Sequence, residues 1–281
     1  MVDELMGRCG FFVAVCLVWW VNGSATEQVQ AGAQRVTFKS GEISLSGVLY
    51  KPQGNGPFPA LLWNHGSEKA PGERPQFDTV ASIFVPVGYV VFAPVRRGHG
   101  HSEGRYIVDV VKQTRATGGR DAADRIEVRL LESEQLDDQL AALAYLKQQA
   151  FIDPTRIAVA GCSFGGVETL LGAERDVGFR AAISISPGAL SWNGNSYLRE
   201  RLIEAVRRIS IPVLLLQPAR DASLSPAKVL GEQASRLGKP FTVKVYPPAG
   251  PESEQGHCFG GAAGMHVWAE DAKAFLKANV P

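Results

Sequence analysis

The stretch AVAGCSFGGVETLL, residues 158–171, sets two nucleophile-capable side chains, Cys162 and Ser163, next to each other in a glycine-rich turn. The apolar residues before the turn read as a strand, and those after it as a helix. A nucleophile at the tip of such a sharp turn takes strained backbone angles. Its neighbours two before and two after must be small, because strand and helix pack closely there. With Ser163 at the tip, those neighbours are Gly161 and Gly165, giving G-x-S-x-G. With Cys162 at the tip they are Ala160 and Phe164, and Phe164 is too large. The register selects Ser163 and turns Cys162 toward packing. The stretch is not a G-x-G-x-x-G phosphate loop, because position 163 is Ser.

A serine nucleophile needs a base, and the base needs an orienting acid. In a strand–turn–helix architecture of this kind the chain order is serine, acid, histidine. His257 and His266 follow Ser163. His257 lies in PESEQGHCFGG, a loop leaving the last expected strand, whereas His266 opens the final expected helix. His257 is therefore the expected base. The expected acid is Asp221, where PVLLLQPARD leaves the preceding strand; Glu252 and Glu254, in the histidine's own loop, are the weaker alternative. A developing oxyanion needs preorganised N–H donors. One is expected from Phe164, after the nucleophile. The second is expected from the loop LLWNHGSEK, at Ser67, with Glu68 as the near alternative. His65 precedes the nucleophile and sits on the oxyanion side, so it braces the loop or walls the pocket.

These residues need a scaffold. QRVTFKSGEISLSGVLYKP shows two alternating runs about Ser40–Gly41, a hairpin signal. Beyond it, apolar strand runs (ALLWNHG, YVVFAP, RIAVAG, AAISISPG, PVLLLQP, FTVKVYPP) alternate with amphipathic stretches of helical spacing. One long helix is expected over DRIEVRLLESEQLDDQLAALAYLKQQAF. This pattern specifies an α/β protein, a mostly parallel central sheet with helices on both faces and an antiparallel N-terminal edge. Sites in such sheets lie at the carboxyl ends of the strands.

The chain has 281 residues, 45% hydrophobic and 20% charged, with a net charge of +1. No basic run or basic stripe is present, so no nucleic-acid partner is expected. The run Cys9–Val21 is apolar but short for a membrane span. Gly23 and Ala25 stand at −3 and −1 of a cut after Ala25. Residues 1–25 therefore read as a signal peptide and 26–281 as one catalytic domain. A periplasmic or secreted protein follows, with no stable membrane insertion after cleavage. Of four cysteines, Cys162 and Cys258 lie in the mature chain. There is no zinc-spaced cluster, so neither metal nor cofactor is expected.

Taken together, HGS after one strand, RRGHGHSEG after the next, GCSFGG, ARD and YPPAGPESEQGHCF resemble the α/β-hydrolase superfamily. The closer resemblance is to its dienelactone hydrolase-like group, over about residues 34–280. That group's namesake carries cysteine at the elbow tip, whereas this chain carries Ser163, so the resemblance is to a serine-nucleophile variant. It implies a serine hydrolase that cleaves carboxylic esters through a Ser163–Asp221–His257 triad and an acyl-enzyme. Peptidase or amidase activity is the alternative, since acylaminoacyl- and dipeptidyl-peptidase domains share RRGxGxSEG and GxSxGG; dienelactone-type lactone cleavage is another. The partner implied is a small ester, amide or peptide. Residues 101–130 and Ser186–Tyr197 are long enough to overhang the site, with Tyr106, Trp192 and Tyr197 as candidate pocket walls. Lys112, Arg115 and Arg120 are candidates for attracting an acidic substrate. Because Cys162 and Cys258 flank Ser163 and His257, a disulfide locking the site and a pair of small buried thiols both fit.

Overall fold

A computed structural model describes residues 32–71 and 75–281; the expected signal segment lies outside them. Strands β1 (Ala33–Ser40) and β2 (Ile43–Tyr50) form the antiparallel hairpin, turning at Gly41 with φ +57°. Phe38 pairs with Leu45 across it, and both are buried. The remaining strands are β3 (Phe58–Asn64), β4 (Val90–Val95), β5 (Ile152–Cys162), β6 (Phe179–Ile185), β7 (Val213–Pro218) and β8 (Phe241–Tyr246). One eight-stranded sheet has the order β1-β2-β4-β3-β5-β6-β7-β8. β2 runs antiparallel to both neighbours, and all other pairs are parallel.

The central strands β3 to β7 are almost wholly buried, because helices cover both faces. On one face lie α1 (Gln76–Phe84) and α7 (His266–Asn279); Phe77, Phe84, Trp268 and Leu276 pack against Trp63 and Ile183. On the other lie α2 (Ile107–Leu130), α3 (Leu136–Lys147), α4 (Phe164–Ala173), α5 (Ser196–Arg208) and α6 (Ser225–Arg236). From these, Leu143, Val167, Leu202 and Leu230 join Leu62, Val159 and Leu215 in a second core. β8 is a largely exposed edge, with Val243 and Val245 open to solvent. Among the described residues, no helix is long and apolar enough to cross a membrane.

The long helix expected through residues 124–151 is divided. α2 begins earlier, at Ile107, and breaks at Gly119, where φ is +79°. A π-helical turn, Leu131–Gln135, joins it to α3. Such turns mark sites where a side chain is re-aimed, and Gln135 is aimed at a buried arginine.

Candidate active site

β5 ends at Cys162, and Ser163 occupies φ +60°, ψ −120°, before α4 starts at Phe164. A side chain in that region is strained and persists only where its surroundings dictate it. Here Ser163 N–H donates to Ile185 O at 3.0 Å. The flanking glycines leave no choice. A Cβ on Gly165 would lie 2.0 Å from Asn64 O, and one on Gly161 would lie 2.5 Å from Gly165 O.

Three side chains from three strand exits meet there. His257 Nε2 lies 2.9 Å from Ser163 Oγ, and His257 Nδ1 lies 2.7 Å from Asp221 Oδ1. The Asp221 side chain is fully buried and the imidazole is 21% exposed. Asp221 also accepts from Ala222 N at 2.7 Å and Gln217 Nε2 at 3.0 Å. Burial works to raise the Asp221 carboxyl, but hydrogen bonds from His257, Ser186 and Gln217, and attraction to the imidazole, outweigh it. The result is a carboxyl held below its ordinary value. With Asp221 accepting at Nδ1, the neutral imidazole presents its Nε2 lone pair to the Ser163 hydroxyl. That arrangement can move a proton from Oγ to Nε2.

Covalent attachment fixes the histidine loop. Cys258, directly after His257, is disulfide-bonded to Cys162, directly before Ser163, with Cα atoms 6.1 Å apart. Phe259 is buried and meets Tyr246 edge-on at 5.4 Å. Cys258 and Phe259 both hold positive φ, +56° and +57°.

Ser67 lines the cavity above Ser163. Neither Ser67 N–H nor Phe164 N–H has an acceptor among the described residues, and Phe164 opens a helix, where N–H groups are left free. The loop carrying Ser67 is braced from below. His65 is fully buried; its Nδ1 lies 2.8 Å from Gly66 O, and its Nε2 accepts from Arg96 N at 3.1 Å. Both ring nitrogens are thus used, with the proton on Nδ1. Burial, then the Arg96 guanidinium and His99, push His65 well below its ordinary value, so it stays neutral. Arg96 itself is buried and donates to His65 O and Gly66 O, both at 2.9 Å, and to Gln135 Oε1 at 3.0 Å.

The open cavity over Ser163 has a volume of about 530 Å³. Gly66, Ser67, Glu68, Pro75, Leu190 and the run Gly260–Ala263 contribute to its walls. The four expected pocket residues are not among those walls. His65 is the loop brace just described. Trp192 is 2% exposed and belongs to the core. Tyr106 donates to Ser67 O and packs edge-on against His99, so it too supports the loop. Tyr197 donates to Asp121 at 2.7 Å under the Arg125 guanidinium, on the outer face. Of the two segments expected to overhang, residues 107–130 do not: they are helix packed on α5, tied down where Asn195 donates to Asp124 O and Glu127. Of Ser186–Tyr197, Leu190 reaches the cavity. Arg115 and Arg120 pair with Asp124, and neither they nor Lys112 line it. His266 is exposed beside Glu254, away from Ser163. Among the described residues no cluster has metal-holding composition.

Arg96 was not given a role by the sequence, though it sits in the quoted RRGHGHSEG. The signal available in the sequence is an arginine directly after an all-apolar strand, since an arginine buried there must be paired.

Residues 75–204 match the family model described as the prolyl oligopeptidase family, a segment that includes Ser163 and ends before Asp221. The chain is 29% identical over 167 residues to the quorum-quenching protein AidA of Acinetobacter baumannii, covering 59% of this chain. It spans about half of that relative, 47% of its length. It is 23% identical to a putative carboxymethylenebutenolidase of Methylorubrum extorquens, covering 86% of this chain and 79% of the relative. Among solved structures, it superposes on the Pyrococcus furiosus esterase Pf2001 with a TM-score of 0.66 at 16% identity, covering 89% of this chain and 94% of the other. It superposes equally on the Pyrococcus horikoshii acylaminoacyl peptidase, with a TM-score of 0.66 at 16% identity, covering 89% and 42%.

Proposed function

We propose that this chain, an α/β hydrolase with dienelactone hydrolase-like relatives, is a serine esterase acting on carboxylic esters through Ser163, His257 and Asp221. The observation that supports this most is the row of two hydrogen bonds from Ser163 Oγ through the imidazole to Asp221. In the first step His257 Nε2 takes the Ser163 proton, and Oγ attacks the ester carbonyl carbon. The oxyanion forms against Ser67 N–H and Phe164 N–H. The carbon–oxygen bond to the alcohol then breaks, and His257 returns the proton to the leaving oxygen. Water enters, gives a proton to His257 and attacks the acyl carbon; the bond from that carbon to Ser163 Oγ then breaks, His257 returns the proton to Oγ, and the acid leaves. Asp221 keeps the imidazole in the required tautomer and stabilises its charged form. The base and each oxyanion donor contribute roughly 10²–10⁴-fold.

Peptide or amide hydrolysis on the same residues is the second reading, favoured by the match to the prolyl oligopeptidase family. Parallel kcat/KM values for p-nitrophenyl esters and aminoacyl p-nitroanilides separate the two. Esters ahead by more than the intrinsic reactivity difference support the esterase; anilides ahead favour the peptidase.

Export is part of the proposal, with cleavage after Ala25. The apolar run Cys9–Val21 before small residues supports it. The Cys162–Cys258 disulfide suits an oxidising compartment. N-terminal sequencing of protein recovered outside the cytoplasm tests it; a chain retaining residues 1–25 contradicts it.

A further inference from the structure

Glu68 sits one residue beyond the expected oxyanion donor and lines the cavity over Ser163. A Cβ placed on Gly66 would lie 2.6 Å from Glu68 Oε2 and 3.6 Å from Ser163 Cβ. Carboxylate and nucleophile therefore face each other across a single glycine, at the distance of a few bonds. Among the described residues, no lysine or arginine lines the cavity, and Glu68 and His257 are its only ionisable side chains. The other described wall residues carry no charge: Pro75, Leu190, Gly260, Gly261, Ala262 and Ala263 are small or apolar, and Gln76 is a neutral amide.

Among the described residues, the nearby cations do not neutralise Glu68 from inside the cavity. Lys69, next in the chain, points over the Tyr106 ring at 5.6 Å and toward Asp109 at 4.0 Å. Arg96 feels the Glu68 charge, but its guanidinium is buried behind the loop and held by His65 O and Gly66 O. Among the described residues no hydrogen bond or ion pair engages the Glu68 side chain. A carboxylate near the reacting centre, in a half-shielded cavity, attracts positive charge on a substrate and repels negative charge.

We propose that Glu68 is a specificity-determining residue that makes the site prefer esters whose acyl or alcohol part carries an ammonium group, and reject carboxylate-bearing ones. The proposal rests on the esterase reading and names its substrate class. An ammonium within about 6 Å of the carboxylate, at the effective dielectric near a surface, gains enough for roughly a tenfold preference over an uncharged isostere. A carboxylate in the same place is disfavoured to a similar degree.

The test is a set of three p-nitrophenyl esters of equal chain length, capped by trimethylammonium, by tert-butyl and by carboxylate. Their kcat/KM values are measured near neutral pH at low and high salt for the wild type, Glu68→Gln and Glu68→Asp. The wild type should rank cation over neutral over anion, with the spread shrinking in high salt. Glu68→Gln should compress the cation-to-anion ratio by at least about tenfold, mainly through KM, and Glu68→Asp should keep it. Turnover of the neutral ester with an unchanged ratio in Glu68→Gln, or with the anion preferred by the wild type, overturns this assignment and leaves the esterase reading standing. No turnover of any of the three, by protein whose Ser163 also resists a fluorophosphonate, overturns the esterase reading and this assignment with it.

Discussion

Replacing Cys162 and Cys258 together by alanine removes a cross-link between residues separated by 96 positions. In the chain-entropy treatment, a bond closing a loop of that size removes unfolded-state freedom worth about 4.7 kcal/mol at 25 °C. Measured disulfide contributions more often fall at about 2–4 kcal/mol. Either figure is a large share of the roughly 5–15 kcal/mol of a typical domain. Two features of the folded state add to the effect. Cys162 is 4% exposed, so alanine leaves space in the core beneath the elbow. The histidine loop keeps positive φ at Cys258 and Phe259, which it would relax once released. Phe259 stays buried and holds part of the loop, so the fold survives while His257 loses its fixed approach to Ser163. The assay is urea unfolding of oxidised wild type, dithiothreitol-reduced wild type and the double variant, alongside esterase turnover. The expected result is a loss of about 3–5 kcal/mol in both uncross-linked forms. The denaturant slope should steepen, because the unfolded chain is no longer constrained. Turnover should fall at urea concentrations below the global transition. Oxidised and reduced proteins with the same midpoint and slope would refute this reasoning.

Gly165→Ala places a methyl 2.0 Å from Asn64 O and 2.6 Å from His65 O, both backbone atoms. We expect a loss of at least about 3 kcal/mol, or no soluble protein, by thermal melting against wild type. Arg96→Met leaves the buried carbonyls of His65 and Gly66 without their donor. It should cost about 3–5 kcal/mol and lower kcat more than it raises KM, because the loop bearing Ser67 loosens; an unchanged kcat would show that the brace is idle. Burial pushes the Glu168 carboxyl up to about 8, against the pull of Arg96. The folded state therefore holds a proton that the unfolded state releases at ordinary carboxyl values. Stability from this group is fully present below about pH 4 and declines as pH climbs toward 8, by up to about 1.4 kcal/mol per unit. Glu168→Gln should flatten that part of a melting-temperature profile, and an identical slope in the two proteins would contradict it. Asp221 has the opposite sign. Its lowered carboxyl contributes stability above the ordinary range that is lost as pH falls through the folded-state value. Asp221→Asn should lower kcat by up to about 10⁴-fold with the far-UV spectrum unchanged.

The sheet was legible because its strands are buried on both faces and read as unbroken apolar runs, from Ala60–Trp63 through Val213–Leu216. The elbow was legible for a steric reason: only one register puts glycine at both crowded positions, and Asn64 O is the atom that enforces it. Chain order and strand exits pointed to Asp221 and His257, which lie within hydrogen-bonding distance of one another. Pocket walls were not legible, since a tryptophan in a loop gives no periodic signal of which way it faces. Trp192 turns into the core, in a loop whose backbone closes a turn there, Trp192 N donating to Gly188 O at 2.8 Å. The brace at Arg96 was hidden because its partners lie about 30 positions away on another loop and in a π-helical turn. No local pattern encodes a contact of that range. β8 read as one more strand, and only the sheet order shows it to be an exposed edge.

The most direct test of the central claim is fluorophosphonate labelling of the oxidised protein, followed by peptide mass mapping, beside Ser163→Ala. One labelled residue is expected, Ser163, with labelling abolished in the variant and strongly slowed in His257→Ala. A well-folded protein that takes no label, or takes it at another residue, would contradict it.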